Sequence, residues 1–248
     1  MVVIKSNSEI EKMRKAGEIT AGALKVAEEA IRIGMTTHEL DTIIRKYITS
    51  HGAKPSFLGY GGFPASACIS INDEVIHGIP GPRKIEDGDI VSVDVGAYIN
   101  GYHGDSAKTF AVGNVSLEAR KLLKSTEESL YIAIEMAKPG VRLGDIGAAI
   151  AKHNQDNGFS VVREFVGHGI GKDLHEEPEV PNFGTEGRGL RLQAGMVIAV
   201  EPMINMGTAK IRIMPDKWTV KTCDGKVSAH FEHTIAITQN GAVILTRI

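Results

Sequence analysis

Asp94 closes the apolar run Val91-Ser92-Val93-Asp94, and Glu201 closes Val197-Ile198-Ala199-Val200-Glu201. An ionised carboxylate inside an apolar strand is costly unless it is paired or binds a cation. Taken singly, each acid reads as a strand running out into a loop. Two more acids stand where strands should begin: Asp105 in H-G-D-S-A-K-T-F and Glu232 in H-F-E-H-T-I-A-I. Four carboxylates brought to one place cannot all stay ionised without positive charge among them. A fifth candidate is His168, in Gly167-His168-Gly169-Ile170-Gly171. The glycines could cradle a phosphate, but the following helix that phosphate sites use is missing. They fit better with a backbone bent so that one imidazole reaches a metal. Four hard oxygen donors and one imidazole suit Mn, Fe or Co better than a closed thiolate zinc site. If some carboxylates bridge, five ligands can hold two ions roughly 3.5–4 Å apart.

What would bring these residues together is an internal repeat. Residues 33–44 read I-G-M-T-T-H-E-L-D-T-I-I and residues 139–150 read P-G-V-R-L-G-D-I-G-A-A-I. One constant shift pairs Gly34 with Gly140, Leu40 with Ile146, Ile44 with Ile150 and Gly52 with Gly158. One residue more lays G-D-I-V-S-V-D (88–94) over G-M-V-I-A-V-E (195–201), so Asp94 and Glu201 fall at matching ends of matching strands. In each copy a long amphipathic helix comes first. The first carries Ile10, Met13, Ile19, Leu24 and Ala27, with Ser8-x-x-Glu11 as a capping box and Gly34 at its C-terminal end. A second helix follows through Leu40, Ile44 and Ile48 and stops at Gly52. The later copy repeats the pair through Leu122, Leu130 and Ile134, then through Ile146, Ile150 and His153 to Asn157-Gly158. Strands rich in β-branched residues are predicted at 66–71, 90–95, 159–166, 196–201 and 234–238. The fold class is α+β: helix pairs on one face of a curved, mainly antiparallel sheet, in one domain of two related halves (about 8–113 and 114–248). A pseudo-two-fold relation places a site between the halves.

Composition narrows the function classes. With 42% hydrophobic and 23% charged residues, the 248-residue chain is neither disordered nor fibrous. A net charge of −2 gives no bulk basic signal for nucleic acid. Two cysteines, Cys68 and Cys223, make no disulfide framework and fit a reducing compartment. No signal-peptide pattern and no span of about 18 apolar residues occurs, so a cytoplasmic protein without membrane insertion is expected.

The motifs themselves carry a resemblance. H-G-I-P at 77–80, the Asp94/Asp105 pair, G-H-G-I-G at 167–171, H-E-E-P at 175–178, E-P-M at 201–203 and F-E-H-T at 231–234 resemble the bacterial type I methionine aminopeptidases nearly end to end. That family has the duplicated "pita-bread" fold with a dinuclear metal site at its centre. The resemblance implies a peptidase that removes the initiator methionine from nascent chains, preferring a small, uncharged second residue. It implies that Asp94 and Asp105 hold one ion, that His168 and Glu201 belong to the other, and that Asp105 and Glu232 bridge both. A water between the ions would be the nucleophile. Glu201 would be the general base, relaying the proton to the departing amine. The substrate's free α-amino group would meet one ion. His175 would contact the scissile carbonyl or its oxyanion, and His77 the backbone of the next residue. Without the resemblance, His77 reads as part of an ordinary turn and His175 as part of a solvated acidic loop.

The family's methionine pocket falls on Phe57, Tyr60, Phe63, Cys68, Leu174 and Trp218, with His77 nearby. Leu174 stands where phenylalanine is frequent and Phe63 where tyrosine is, changes that touch side-chain preference and leave the reaction alone. Cys68 is a small apolar wall, since no cysteine–histidine–acid set accompanies it. The metal could be Co, Mn, Fe or Zn. A monomer is expected, and the resemblance admits contact with the ribosome, although no basic cluster marks it. One rival is a metal-free binding protein of the same fold, which predicts a missing ligand; all five are intact. A proline-directed peptidase of the superfamily predicts a much longer chain.

Overall fold

The computed structural model describes residues 1–248. Helix α1 (Asn7–Ala30) is followed by α2 (Thr37–Ser50), and α3 (Leu117–Met136) by α4 (Leu143–Asp156). The main strands are β1 (Ala67–Ile71), β2 (Ile90–Ile99), β3 (Tyr102–Ala111), β4 (Gly167–Gly169), β5 (Glu176–Val180), β6 (Val197–Val200), β7 (Met203–Asn205), β8 (Ser228–His230) and β9 (His233–Thr238). Every strand pairing is antiparallel. β1, β2 and β3 lie side by side in one sheet, and β9, β6, β4 and β5 in another.

Each helix pair has its own apolar core. Met35, Leu40, Ile44 and Ile48 bury with Ile69, Val91, Val93 and Val95 of the first sheet. Leu122, Leu130, Ile146 and Ile150 bury with Ile198, Val200, Ile235 and Ile237 of the second. A third cluster, including Met13, Phe57, Cys68, Ile170, Leu174 and Val197, lies between them. The two sheets are joined through β3: the Glu232 N–H donates to the Ala107 carbonyl (2.8 Å) and the Ser106 hydroxyl to the Glu232 carbonyl (2.6 Å). Thr234 completes the seam, its hydroxyl donating to the Asp105 carbonyl and accepting from the Asp105 N–H.

Several local expectations shift. The box that caps α1 is Ser6/Glu9, not Ser8/Glu11, because the Lys5 N–H is tied to the Gly195 carbonyl and the chain turns into the helix directly after it. α1 ends at Ala30, so Gly34 (φ 85°) does not cap it; its N–H donates to the Ile85 carbonyl in the turn that leads to α2. The strand expected over 159–166 shrinks to Ser160–Val161, since the chain turns outward at the exposed Arg163 and Glu164. β2 continues five residues beyond Asp94, which therefore lies within a strand and not at its end. Asp105 likewise lies inside β3.

Candidate metal centre and pocket

The Asp94/Asp105 spacing follows from a two-residue hairpin. Asn100 (φ 55°) and Gly101 (φ 84°) join β2 to β3 in left-handed conformations, the pattern of an Asn-Gly type I′ turn. The register pairs Asp94 with Ala107 and Gly96 with Asp105. Asp105 is two residues from the partner of Asp94, so the two carboxylates are diagonal neighbours on one face. Across the seam, β9 pairs with β6 so that His233 faces Val200. Beyond it, the Phe231 N–H donates to the Pro202 carbonyl at 3.3 Å, so Glu232 and Glu201 lie opposite one another in the same register.

His168 sits in β4, beside β6. Its Nδ1 lies 2.9 Å from the Gly169 carbonyl, an acceptor, so Nδ1 carries the proton and Nε2 keeps its lone pair. Nε2 is 3.6 Å from Glu201 Oε1 and 3.9 Å from Asp105 Oδ2. The strand register breaks between His168 and Gly169, in line with the bend expected there, and the flanking glycines also serve close approach. A Cβ on Gly167 would lie 2.4 Å from the Ala199 carbonyl oxygen, and one on Gly169 2.2 Å from that of Glu177. Gly169→Ala is therefore expected to destabilise the fold by about 1–3 kcal/mol, read as a lower urea midpoint at unchanged slope.

Burial and crowding hold protons on the acids of this site when no cation is there. Burial, reinforced by neighbouring acids, raises Asp94 to about 7 and holds Asp105 and Glu232 well above the carboxylate range. Burial raises Glu201 to about 8 and lowers His168 to about 3, which keeps the imidazole neutral as a ligand must be. Asp94 Oδ1, Asp105 Oδ1 and Glu232 Oε1 are buried with no hydrogen-bond partner. Ligand atoms of Asp105, His168 and Glu232 lie within 4.8 Å of one another. Orphaned carboxylate oxygens converging beside a neutral imidazole fit hard divalent ions.

These acids line a cavity of about 180 Å³ whose thirteen lining residues are all those singled out from the sequence. Asp94, Asp105, His168, Glu201 and Glu232 share its lining with His77 and His175 and with Phe57, Tyr60, Phe63, Cys68, Leu174 and Trp218. Phe63 meets Trp218 edge-on at 5.2 Å. Cys68 pairs with Asp94 across β1 and β2; burial and that acid push its thiol up, so it is wall and not nucleophile. His77 (φ 58°) holds a left-handed backbone uncommon outside glycine, and burial lowers its pKa to about 4.

The model of metallopeptidase family M24 matches residues 11–239. A methionine aminopeptidase of Clostridium perfringens is 56% identical over 248 residues, all of both chains, and methionine aminopeptidase 1 of Bacillus subtilis 52%, again over both in full. The crystal structure of the methionine aminopeptidase from Thermotoga maritima superposes with a TM-score of 0.98 at 46% identity, covering 100% of each chain. The chain belongs to metallopeptidase family M24 and, within it, to the methionine aminopeptidases. Members of this family are metal-dependent exopeptidases, and the intact acids and imidazole equip this one for that chemistry.

Two residues beside this metallopeptidase's centre escape a reading of the sequence. His230, fully buried, places Nε2 3.6 Å from Glu201 Oε2 with no hydrogen-bond partner. Asn182, also buried, donates from Nδ2 to the Glu201 carbonyl at 2.9 Å and so fixes the backbone there. The signal for His230 was its place two residues before Glu232, on the strand that enters the seam. Asn182 carries no local signal.

Proposed function

We propose that this metallopeptidase removes the N-terminal methionine from peptides and nascent polypeptides with a free amino group and a small second residue, in the cytoplasm. The observation that carries this reading is the single cavity in which an acid–imidazole centre abuts an apolar pocket. Asp94, Asp105, His168, Glu201 and Glu232 would together hold two divalent ions at the centre. The chemistry such ions supply is the lowering of a water's pKa toward neutrality and the polarisation of a carbonyl.

The protein's own groups do the rest. Phe57, Phe63, Cys68, Leu174 and Trp218 surround a thioether side chain and exclude water from it. Glu201 takes the proton of the attacking water and passes it to the leaving amine. His175 donates a hydrogen bond to the oxygen of the scissile carbonyl. His77, held by its left-handed backbone, orients the peptide beyond the scissile bond.

The test is hydrolysis of Met-Ala-Ser against N-acetyl-Met-Ala-Ser and Leu-Ala-Ser, with protein stripped of metal and then given Mn, Fe or Co. Cleavage of the free methionyl peptide alone, and only with metal, is expected. Silence with every ion despite measured ion binding would leave the metal-free binding role as the better reading. His77→Ala and His175→Ala should each lower kcat by about a hundredfold while the ions still bind. Calorimetric titration with Mn would show whether binding survives; its loss in either variant would contradict the assigned role.

A further inference from the structure

Tyr60 does more than wall the pocket. Its hydroxyl oxygen lies 2.7 Å from Nδ1 of His175, and the two rings sit 5.2 Å apart at 35°. No other hydrogen bond within the protein reaches the His175 ring, which stands at the solvent-exposed rim. A rim histidine with nothing on Nδ1 exchanges freely between its two tautomers and turns about its side-chain bonds. We propose that Tyr60 is a positioning residue: its O–H donates to Nδ1 of His175, which fixes the proton on Nε2 and presents that N–H to the substrate carbonyl. This deepens the proposed function and rests on the role given there to His175.

The loop that carries Tyr60 is built to hold that hydroxyl in place. Phe57 and Phe63 anchor its two ends, at 7% and 3% exposure, while Tyr60 between them is 45% exposed. Backbone hydrogen bonds close the loop on itself: Gly59 N–H to the Phe63 carbonyl (2.8 Å), Tyr60 N–H to Phe57 (2.9 Å) and Phe63 N–H to Tyr60 (2.9 Å). Gly59 (φ 85°), Gly61 (φ 55°) and Gly62 (φ 91°) all take left-handed conformations, which other residues adopt only with strain. Gly61 also runs against Trp218, where a Cβ would come within 3.2 Å of the indole. The turn is thus a preformed bracket, and a wall residue alone would need no hydroxyl on it. Burial and the nearby Asp173 raise the Tyr60 pKa, so the phenol keeps its proton as a donor must.

The decisive experiment is the tautomer itself, read from long-range proton–nitrogen correlations of the histidines in protein loaded with diamagnetic Zn²⁺. The His175 signal is identified by its absence in His175→Ala. Wild type should show His175 with its proton on Nε2 and a hydrogen-bonded Nδ1; Tyr60→Phe should show a mixture of tautomers. An Nδ1–H form in wild type, or an unchanged pattern in the variant, would overturn the proposal. In steady state on Met-Ala-Ser, Tyr60→Phe should lower kcat by about tenfold or more with KM within about twofold. It should add nothing further in a His175→Ala background. A raised KM at unchanged kcat would reduce Tyr60 to a pocket wall. If wild type turned over no methionyl peptide, the proposed function would fail, while the tautomer measurement would still decide the Tyr60–His175 contact.

Discussion

Glu201→Gln is expected to leave a folded protein whose kcat on Met-Ala-Ser falls by about three orders of magnitude. The amide keeps the size and shape of the carboxylic acid, and β6 ahead of it is fully buried between neighbouring strands, so little packing is lost. Burial already makes the ionised form unfavourable there, holding the group up at about 8, so a neutral side chain suits the fold. What disappears is the group that accepts a proton, together with one anionic donor to the centre. Its two oxygens lie 3.6 Å from His168 Nε2 and from His230 Nε2, in the middle of the converging side chains. Near wild-type rates at matched metal occupancy, with an unchanged melting curve, would exclude Glu201 as the base. A variant that also lost its ions would show the ligand role and leave the base untested, so Glu201→Asp, which keeps the carboxylate but shortens its reach, is the necessary partner measurement.

Stripping the ions should abolish turnover, and it should change how stability depends on pH. In the metal-free protein Asp94 is raised to about 7 and Glu201 to about 8, with Asp105 and Glu232 also held well above the carboxylate range. These groups hold protons more tightly folded than unfolded. Their contribution is fully present below the unfolded carboxylate values near pH 4 and is lost as pH rises through 7 and 8. Metal-free protein should therefore melt at progressively lower temperature from about pH 5 to about pH 9. Divalent ions bind only the deprotonated folded site, so loading at about a hundred times Kd adds about 2.7 kcal/mol. For a chain of this size that is a rise of about 5–10 °C in Tm near neutral pH, shrinking toward acid pH. Calorimetric melts with and without Mn across the range measure both slopes. Parallel curves would mean that the acids do not hold the ions.

The candidate groups of the site were legible in the chain because their chemistry is local. A carboxylate in Val91-Ser92-Val93-Asp94, or a histidine between glycines, announces an exception to apolar strand composition wherever the strand runs. The strands around Ala67–Ile71, Val197–Val200 and His233–Thr238 were legible for the same reason, since β-branched runs are a property of neighbours in sequence. The helices were as well, through their apolar spacing. The hairpin at Asn100-Gly101 could have been read from the same kind of signal. Without it, Asp94 and Asp105 look like strand ends and not like two positions on one face.

What the sequence could not carry is the meeting of segments far apart along it. The 2.8 Å hydrogen bond from Glu232 to Ala107 sets the depth at which one pair of acids faces the other, and no residue near either end encodes that register. The approach of β4 to the strands beside it decides why the residues flanking His168 must lack a side chain, which a glycine-rich motif alone leaves open. Asn182 reaching the Glu201 carbonyl, His230 reaching its carboxylate and Tyr60 reaching His175 all depend on which side chains the packed core leaves room to extend. Residue type and short-range spacing determined which chemistry this protein can do. Distances of about 3 Å between remote segments are set by the sum of every packing contact between them, so only the tertiary structure decided which groups are held in position to do it.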